Sequence, residues 1–101
     1  MKMLLDVEMP HEPFNTLTRE GKAGQVIGRI LEDLKPEVVY FTERDGKRGC
    51  VLVVDLKDGS DVPRLAEPFF LNFNADCKFR VAMSPEELRS ANLEDLGKKW
   101  A

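Results

Sequence analysis

A chain of 101 residues has room for one hydrophobic core and not for two, so residues 1–101 are expected to form a single domain. Its 15 Lys and Arg against 18 Asp and Glu give a net charge of −3 with both signs scattered, which lacks the basic footprint of a nucleic-acid binder. Acids appear within the first eight residues and no run approaches the ~20 apolar residues of a membrane span, which excludes a signal peptide and a membrane partner and leaves a cytoplasmic protein as the expectation.

In chain order, residues 3–9 predict a strand, ended by Pro10 and Pro13, which also suit the start of the next element. From 14 to 34 the apolar positions Ala23, Ile27, Ile30, Leu31 and Leu34 keep helical spacing and predict one amphipathic helix, closed by Lys35-Pro36. Two strands follow, near 37–44 and 49–56, joined by Asp45-Gly46, a hairpin signature. Ser60 or Asp61 caps a second helix with Pro63 in its first turn, and Pro68 is expected to kink or divide that helix. Residues 76–83 alternate as a fourth strand. Ser84-Pro85-Glu86-Glu87 then reads as a helix start, followed by a tail ending in Trp100.

The order β-α-β-β-α-β predicts an α+β fold on the ferredoxin-like plan, with a four-stranded antiparallel sheet, strands 1 and 3 central, and a C-terminal helix or tail. Cys50 and Cys77 then stand at least two strand spacings apart, roughly 10 Å. A disulfide needs Cα atoms within about 7 Å, so the two thiols are expected to stay free, as suits a reducing compartment.

The strands are apolar on both faces, whereas a sheet covered on one side should alternate. Parity sorts Met3, Leu5, Val7, Val38, Tyr40, Cys50, Leu52, Val54, Cys77, Phe79 and Val81 into the fuller apolar set, which we assign to the helix side. The opposite set holds Leu4, Val39, Phe41, Val51 and Val53 at its centre, with Asp6, Glu8, Glu43, Asp55, Lys78 and Arg80 around them. An apolar patch of that kind on a monomer predicts a partner. The expected partner is a second copy, with the sheets face to face and the charges forming ion pairs at the margin.

These two-faced strands, the element order, and the segment from Ala66-Glu67-Pro68-Phe69-Phe70-Leu71 through Asn74-Ala75-Asp76 make the chain similar, over nearly its whole length, to the dimeric α+β barrel superfamily. These are small ferredoxin-like proteins that include muconolactone isomerases and the antibiotic-biosynthesis monooxygenase group. The resemblance implies a homodimer whose sheets pair into a barrel and a small organic molecule bound between sheet and helices. None of the shared features is a catalytic motif.

Candidate chemistry is sparse. His11, the single histidine, follows strand 1 and has the residue type of a general base near pH 7, with Arg19, Glu20 or Glu43 as partner; a solvated turn histidine is the simpler reading. Gly21, Gly24 and Gly28 share a helical stripe beside Lys22, and close packing or a local helix break suits them better than a phosphate cradle, which requires a loop. Lys22 is an anion-binding candidate. Tyr40, Phe70, Phe73 and Trp100 are aromatic candidates for lining a ligand pocket, weighed against core packing. A buried terminal Trp100 would dock the tail on its own domain or on a partner. Asn72 and Asn74 read as turn residues entering strand 4.

The third strand places Cys50, Leu52 and Asp55 where RNA-recognition modules carry base-stacking aromatics, which argues against RNA. No metal-ligand spacing or cofactor motif is present, and none is expected to be used. Two functions fit: a ligand-binding homodimer, extending to a cofactor-free enzyme on an organic acid or aromatic compound, and a non-catalytic sensing or interaction module. A closed cavity holding His11 and a carboxylate would favour the enzyme. His11 in solvent, with phenylalanines filling the interior, would favour the module.

Overall fold

Leu5 and Val7 are fully buried and mark β1 (Lys2–Met9) as a central strand, with residues 3, 5, 7 and 9 turned inward. The computed structural model describes residues 1–101. β1 is followed by α1 (His11–Arg19), α2 (Ala23–Leu34), β2 (Val38–Arg44), β3 (Lys47–Asp55), α3 (Asp61–Phe73), β4 (Asp76–Val81), α4 (Pro85–Ser90) and α5 (Leu93–Lys99). The strands form one antiparallel sheet in the order β2-β3-β1-β4. This is an α+β arrangement compatible with the ferredoxin-like plan. α1, α2 and α3 pack on one face, where Phe14, Ile30, Leu34, Leu65, Phe69 and Phe73 meet the inward residues of β1 and β3. The other face has no covering layer.

The single helix expected over 14–34 is two. Gly21 takes φ 72°, a left-handed conformation that glycine adopts without steric cost, and the N–H groups of Gly21 and Lys22 close back onto Thr18 and Leu17 carbonyls at 3.0 and 2.8 Å. One member of the glycine stripe is therefore a helix break. Gly24 and Gly28 do not serve close packing, because a Cβ on either would meet only open space. Pro68 does not divide α3, which runs unbroken from Asp61 to Phe73. Asn72 lies inside that helix and donates from its Nδ2 to the Pro68 carbonyl at 2.8 Å, so of the two asparagines only Asn74, at φ 55°, makes the turn into β4.

The hairpin corrects the face assignment of β2. Asp45 and Gly46 both have positive φ, 50° and 79°, as a two-residue primed turn requires, and the loop locks Arg44 opposite Lys47. Counting outward pairs Phe41 with Cys50, Val39 with Leu52, Tyr40 with Val51 and Val38 with Val53. Directly opposed residues share a face. Val39 and Phe41 thus stand on the helix side, and Val38 and Tyr40 on the open face, the reverse of the parity expected from the sequence. Assignments for β1, β3 and β4 agree with the register. Val7 stands opposite Cys50 on one side and Cys77 on the other, which separates the thiols by two strand spacings and keeps both free.

Beyond β4 the chain leaves the body. α4 opens with a capping box, Ser84 Oγ accepting from the Glu87 N–H at 3.1 Å while Glu87 Oε1 accepts from the Ser84 N–H at 3.0 Å. Neither α4 nor α5 buries any residue. Trp100 is 77% exposed, so the tail does not dock on its own domain. The molecule measures 60 × 27 × 20 Å with a radius of gyration of 17.1 Å, against about 13 Å for a compact chain of this length.

Candidate functional site

The open face of the sheet carries the most distinctive chemistry. Leu4, Val53 and Val38 form one cross-strand row, and Asp6, Val51 and Tyr40 form the next. Val38 and Tyr40 are exposed, Tyr40 by 71%. Such a row of β-branched and aromatic side chains forms readily on pleated backbone, and here it remains in water.

Asp6 sits in the centre of this face with its side chain only 11% exposed. Arg44 Nη2 approaches Asp6 Oδ1 to 2.6 Å from β2, and Arg80 Nη2 approaches Oδ2 to 3.6 Å from β4. Arg44 crosses β3 to get there, and it can do so because Gly49 has no side chain. A Cβ at Gly49 would lie 2.7 Å from Arg44 Cγ and 2.8 Å from the Val7 carbonyl oxygen. The Arg44 Nε is buried and has no hydrogen-bond partner. Asp6 and Arg44 line a hollow of about 250 Å³ together with Glu8, Glu43, Asp45, Asp76 and Lys78. The sequence places Asp6 and Arg80 on one face with other charges and predicts ion pairs at its margin, without singling out this pair or its central position. Arg44 is not placed there, because the inverted parity of β2 points it to the other side; a count across the Asp45-Gly46 loop finds it.

His11 and Glu43 do come together. They line one shallow, open depression with Thr42, Lys47 and Arg48. His11 is exposed there, and Glu43 Oε2 is occupied in accepting the Gly46 N–H at 2.8 Å. Arg19 is not part of this group: it faces Glu12 at 3.5 Å, while Glu20 faces Lys22 at 3.2 Å. Glu12 is held below the ordinary carboxylate range chiefly by the Thr16 hydroxyl. Lys22 is committed to Glu20 rather than poised over a glycine loop.

The four aromatic candidates lie in four places. Tyr40 is on the open sheet face, and Phe70 is exposed on α3. Phe73 is fully buried with its ring stacked on Phe14 at 5.1 Å, and Trp100 lies on the tail with the Lys99 ammonium 5.4 Å above its ring. Arg48 covers the Phe14 ring at 4.3 Å and donates to Asn15 Oδ1 at 2.8 Å, so the aromatic interior is sealed at its edge. Burial pushes the Cys50 and Cys77 thiols up to about 12, which makes them poor nucleophiles near neutral pH. An open groove of about 900 Å³ lies between α2 and α3, where Val26, Ile30 and Leu71 are mixed with residues of both charges.

No protein-family model matches this chain, and no curated protein matches it. No helix is long and apolar enough to cross a membrane.

Proposed function

We propose that the protein works as a homodimeric binding module of the ferredoxin-like kind, in which two copies pair their open sheet faces and hold a small organic acid against the Asp6, Arg44 and Arg80 cluster. The observation that carries this reading is the row of Leu4, Val38, Val51, Val53 and Tyr40 on the face of the sheet that no helix covers, opposite the face where β1 and β3 pack under α1, α2 and α3. Apolar side chains gathered on an exposed sheet gain roughly 25 cal/mol for each Å² removed from water, and an identical face supplies that cover by two-fold symmetry. Pairing also dries the centre of the face. The Arg44 Nε, already buried and without a hydrogen bond in the single copy, as Asp6 Oδ1 also is, is a donor without an acceptor, and a ligand carboxylate meets that need with a charge-assisted hydrogen bond.

A binding role is favoured over catalysis by the surroundings of His11. It stands in water at an open depression, the carboxylate that shares the depression, Glu43, is engaged in a turn, and the interior is filled by Phe14, Phe69 and Phe73. These supports favour the non-catalytic sensing or interaction module over the enzyme.

Sedimentation equilibrium at micromolar concentration tests the assembly. A dimer is expected for the natural chain and a monomer for Val51→Arg; a stable monomer of the natural chain overturns the reading. For the ligand, simple aliphatic and aromatic carboxylates are expected to raise the melting temperature of the natural chain and not that of Arg44→Ala. Equal shifts in both would remove the cluster from the site.

A further inference from the structure

We propose that the C-terminal arm, residues 84–101, is a docking segment that packs on the second copy of the dimer, each copy giving one arm and receiving one. The proposal rests on the sheet pairing above and adds a second element to it.

The first ground is the arm itself. Helices of 6 and 7 residues are shorter than the roughly 12–15 residues that an isolated helix needs in water, so their persistence depends on packing of an apolar face. The face exists. Leu93, Leu96 and Trp100 recur at i, i+3 and i+7 along α5, and Leu88 stands on α4, which is the spacing of one buried stripe. All four are exposed. The body of the same chain offers nothing to cover them, because the arm projects away from it.

The second ground is area. Four strands about 4.8 Å apart, each some 20–30 Å long, present a projected sheet face of roughly 500 Å², so an interface made by the sheet alone is a small one beside the about 800 Å² of accessible surface per partner that a standard association buries. Two helices totalling 13 residues extend about 20 Å and present a strip about 10 Å wide. An exchanged arm is counted twice for each copy, once as the strip given and once as the surface covered, which adds roughly 400 Å² and brings the interface to standard size. Continuity supports the route. The arm leaves the sheet where the Ala82 N–H donates to the Lys2 carbonyl at 3.0 Å, at the end of an edge strand, so a partner stacked on the open face lies within its reach.

The test uses the full chain and its single tryptophan, Trp100, read by fluorescence in parallel with sedimentation. Where sedimentation reports a dimer, Trp100 emission is expected to be blue-shifted and several-fold less quenched by iodide; on dilution to monomer, and in Val51→Arg, it should return to that of an exposed indole. The double substitution Leu93→Asp with Leu96→Asp, which touches no residue buried in the monomer, should weaken the dimer by about tenfold or more. Mixed dimers of labelled and unlabelled copies should give Overhauser contacts from α5 to the other copy.

A dimer with Trp100 still exposed, or with its dissociation constant unchanged by the double substitution, overturns the arm and leaves the sheet pairing standing. Trp100 shielded in a monomeric sample assigns the arm to its own body or to a different molecule and overturns the proposal. A monomer with exposed Trp100 at every concentration overturns both the arm and the sheet dimer.

Discussion

Arg44 reaches Asp6 across an intervening strand, its Nη2 2.6 Å from Asp6 Oδ1, over the one position of β3 that has no side chain. Three strands are tied by this contact. β2 supplies the cation, β1 the anion, and β3 the gap at Gly49. The pairing of an edge strand with a central one is thereby reinforced on the face that lacks helices, where packing alone holds little.

Gly49→Ala is expected to destabilise the fold by about 1–3 kcal/mol, the usual cost of forcing atoms into filled space. The added Cβ meets a flexible arginine stem on one side but the Val7 backbone carbonyl on the other, and the backbone cannot step aside without disturbing the β1–β3 pairing. Urea denaturation of the variant measures it. Stability within error of the natural chain would mean that the strands adjust freely here.

Phe73→Ala is expected to cost about 3–5 kcal/mol, from lost burial and the cavity left behind. Phe73 is fully buried against Phe14, which makes it a structural residue rather than a ligand contact. The same truncation at Tyr40, which projects into water from the open face, should barely change the stability of a monomeric background such as Val51→Arg. A thermal or urea melt of both variants checks the contrast.

Pro68→Ala should stabilise the protein by about 1–2 kcal/mol. Proline inside α3 removes the N–H that would bond to the carbonyl of Arg64, four residues back, and its ring crowds that carbonyl; the gain is trimmed because proline also restricts the unfolded chain. Chemical denaturation gives the sign. A loss of stability would show that the Asn72 bond to the Pro68 carbonyl depends on the ring.

The thiols predict an alkaline limb in the stability profile. Cys50 and Cys77 titrate near 9.0 when unperturbed and are pushed up to about 12 in the folded chain, in both cases first by burial. Their contribution is therefore complete below pH 9. Between pH 9 and 12 the unfolded chain releases protons that the folded chain keeps, and stability falls as pH rises. Denaturation at pH 8, 9.5 and 10.5 should show the decline, with a shallower slope in the Cys50→Ala, Cys77→Ala double variant. Equal slopes would assign the decline to other groups.

The elements were legible because their signals are local. Alternation in β1 and β4, the Asp45-Gly46 turn, and Ser84 with Glu87 each act over a few residues, and each forms where the sequence places it. The open sheet order and the separation of the cysteines also followed, since a right-handed crossover leaves few alternatives. What failed was what depends on competition. Gly21 is compatible with a continued helix or a broken one, and the folded chain breaks it there, with Gly21 at φ 72° and α1 and α2 on either side. Pro68 could have split α3, but Leu65, Phe69 and Phe73 on its buried side hold the two halves in line. Hydrophobicity does not specify the face of β2, because Val38, Val39, Tyr40 and Phe41 are apolar at every position and parity carries no information there.

By itself, then, the sequence determined an α+β chain, the places of its four strands to within about two residues at each end, its free thiols and the presence of apolar side chains surplus to one core. Only the tertiary structure decided which side chains those are and where they stand. Hydrophobic pattern specifies burial, and burial does not distinguish a core from an interface. The hairpin register put Val38 and Tyr40 on the open face, Gly49 let Arg44 join Asp6 there, and the departure of the chain after β4 left Leu88, Leu93, Leu96 and Trp100 without cover from their own body.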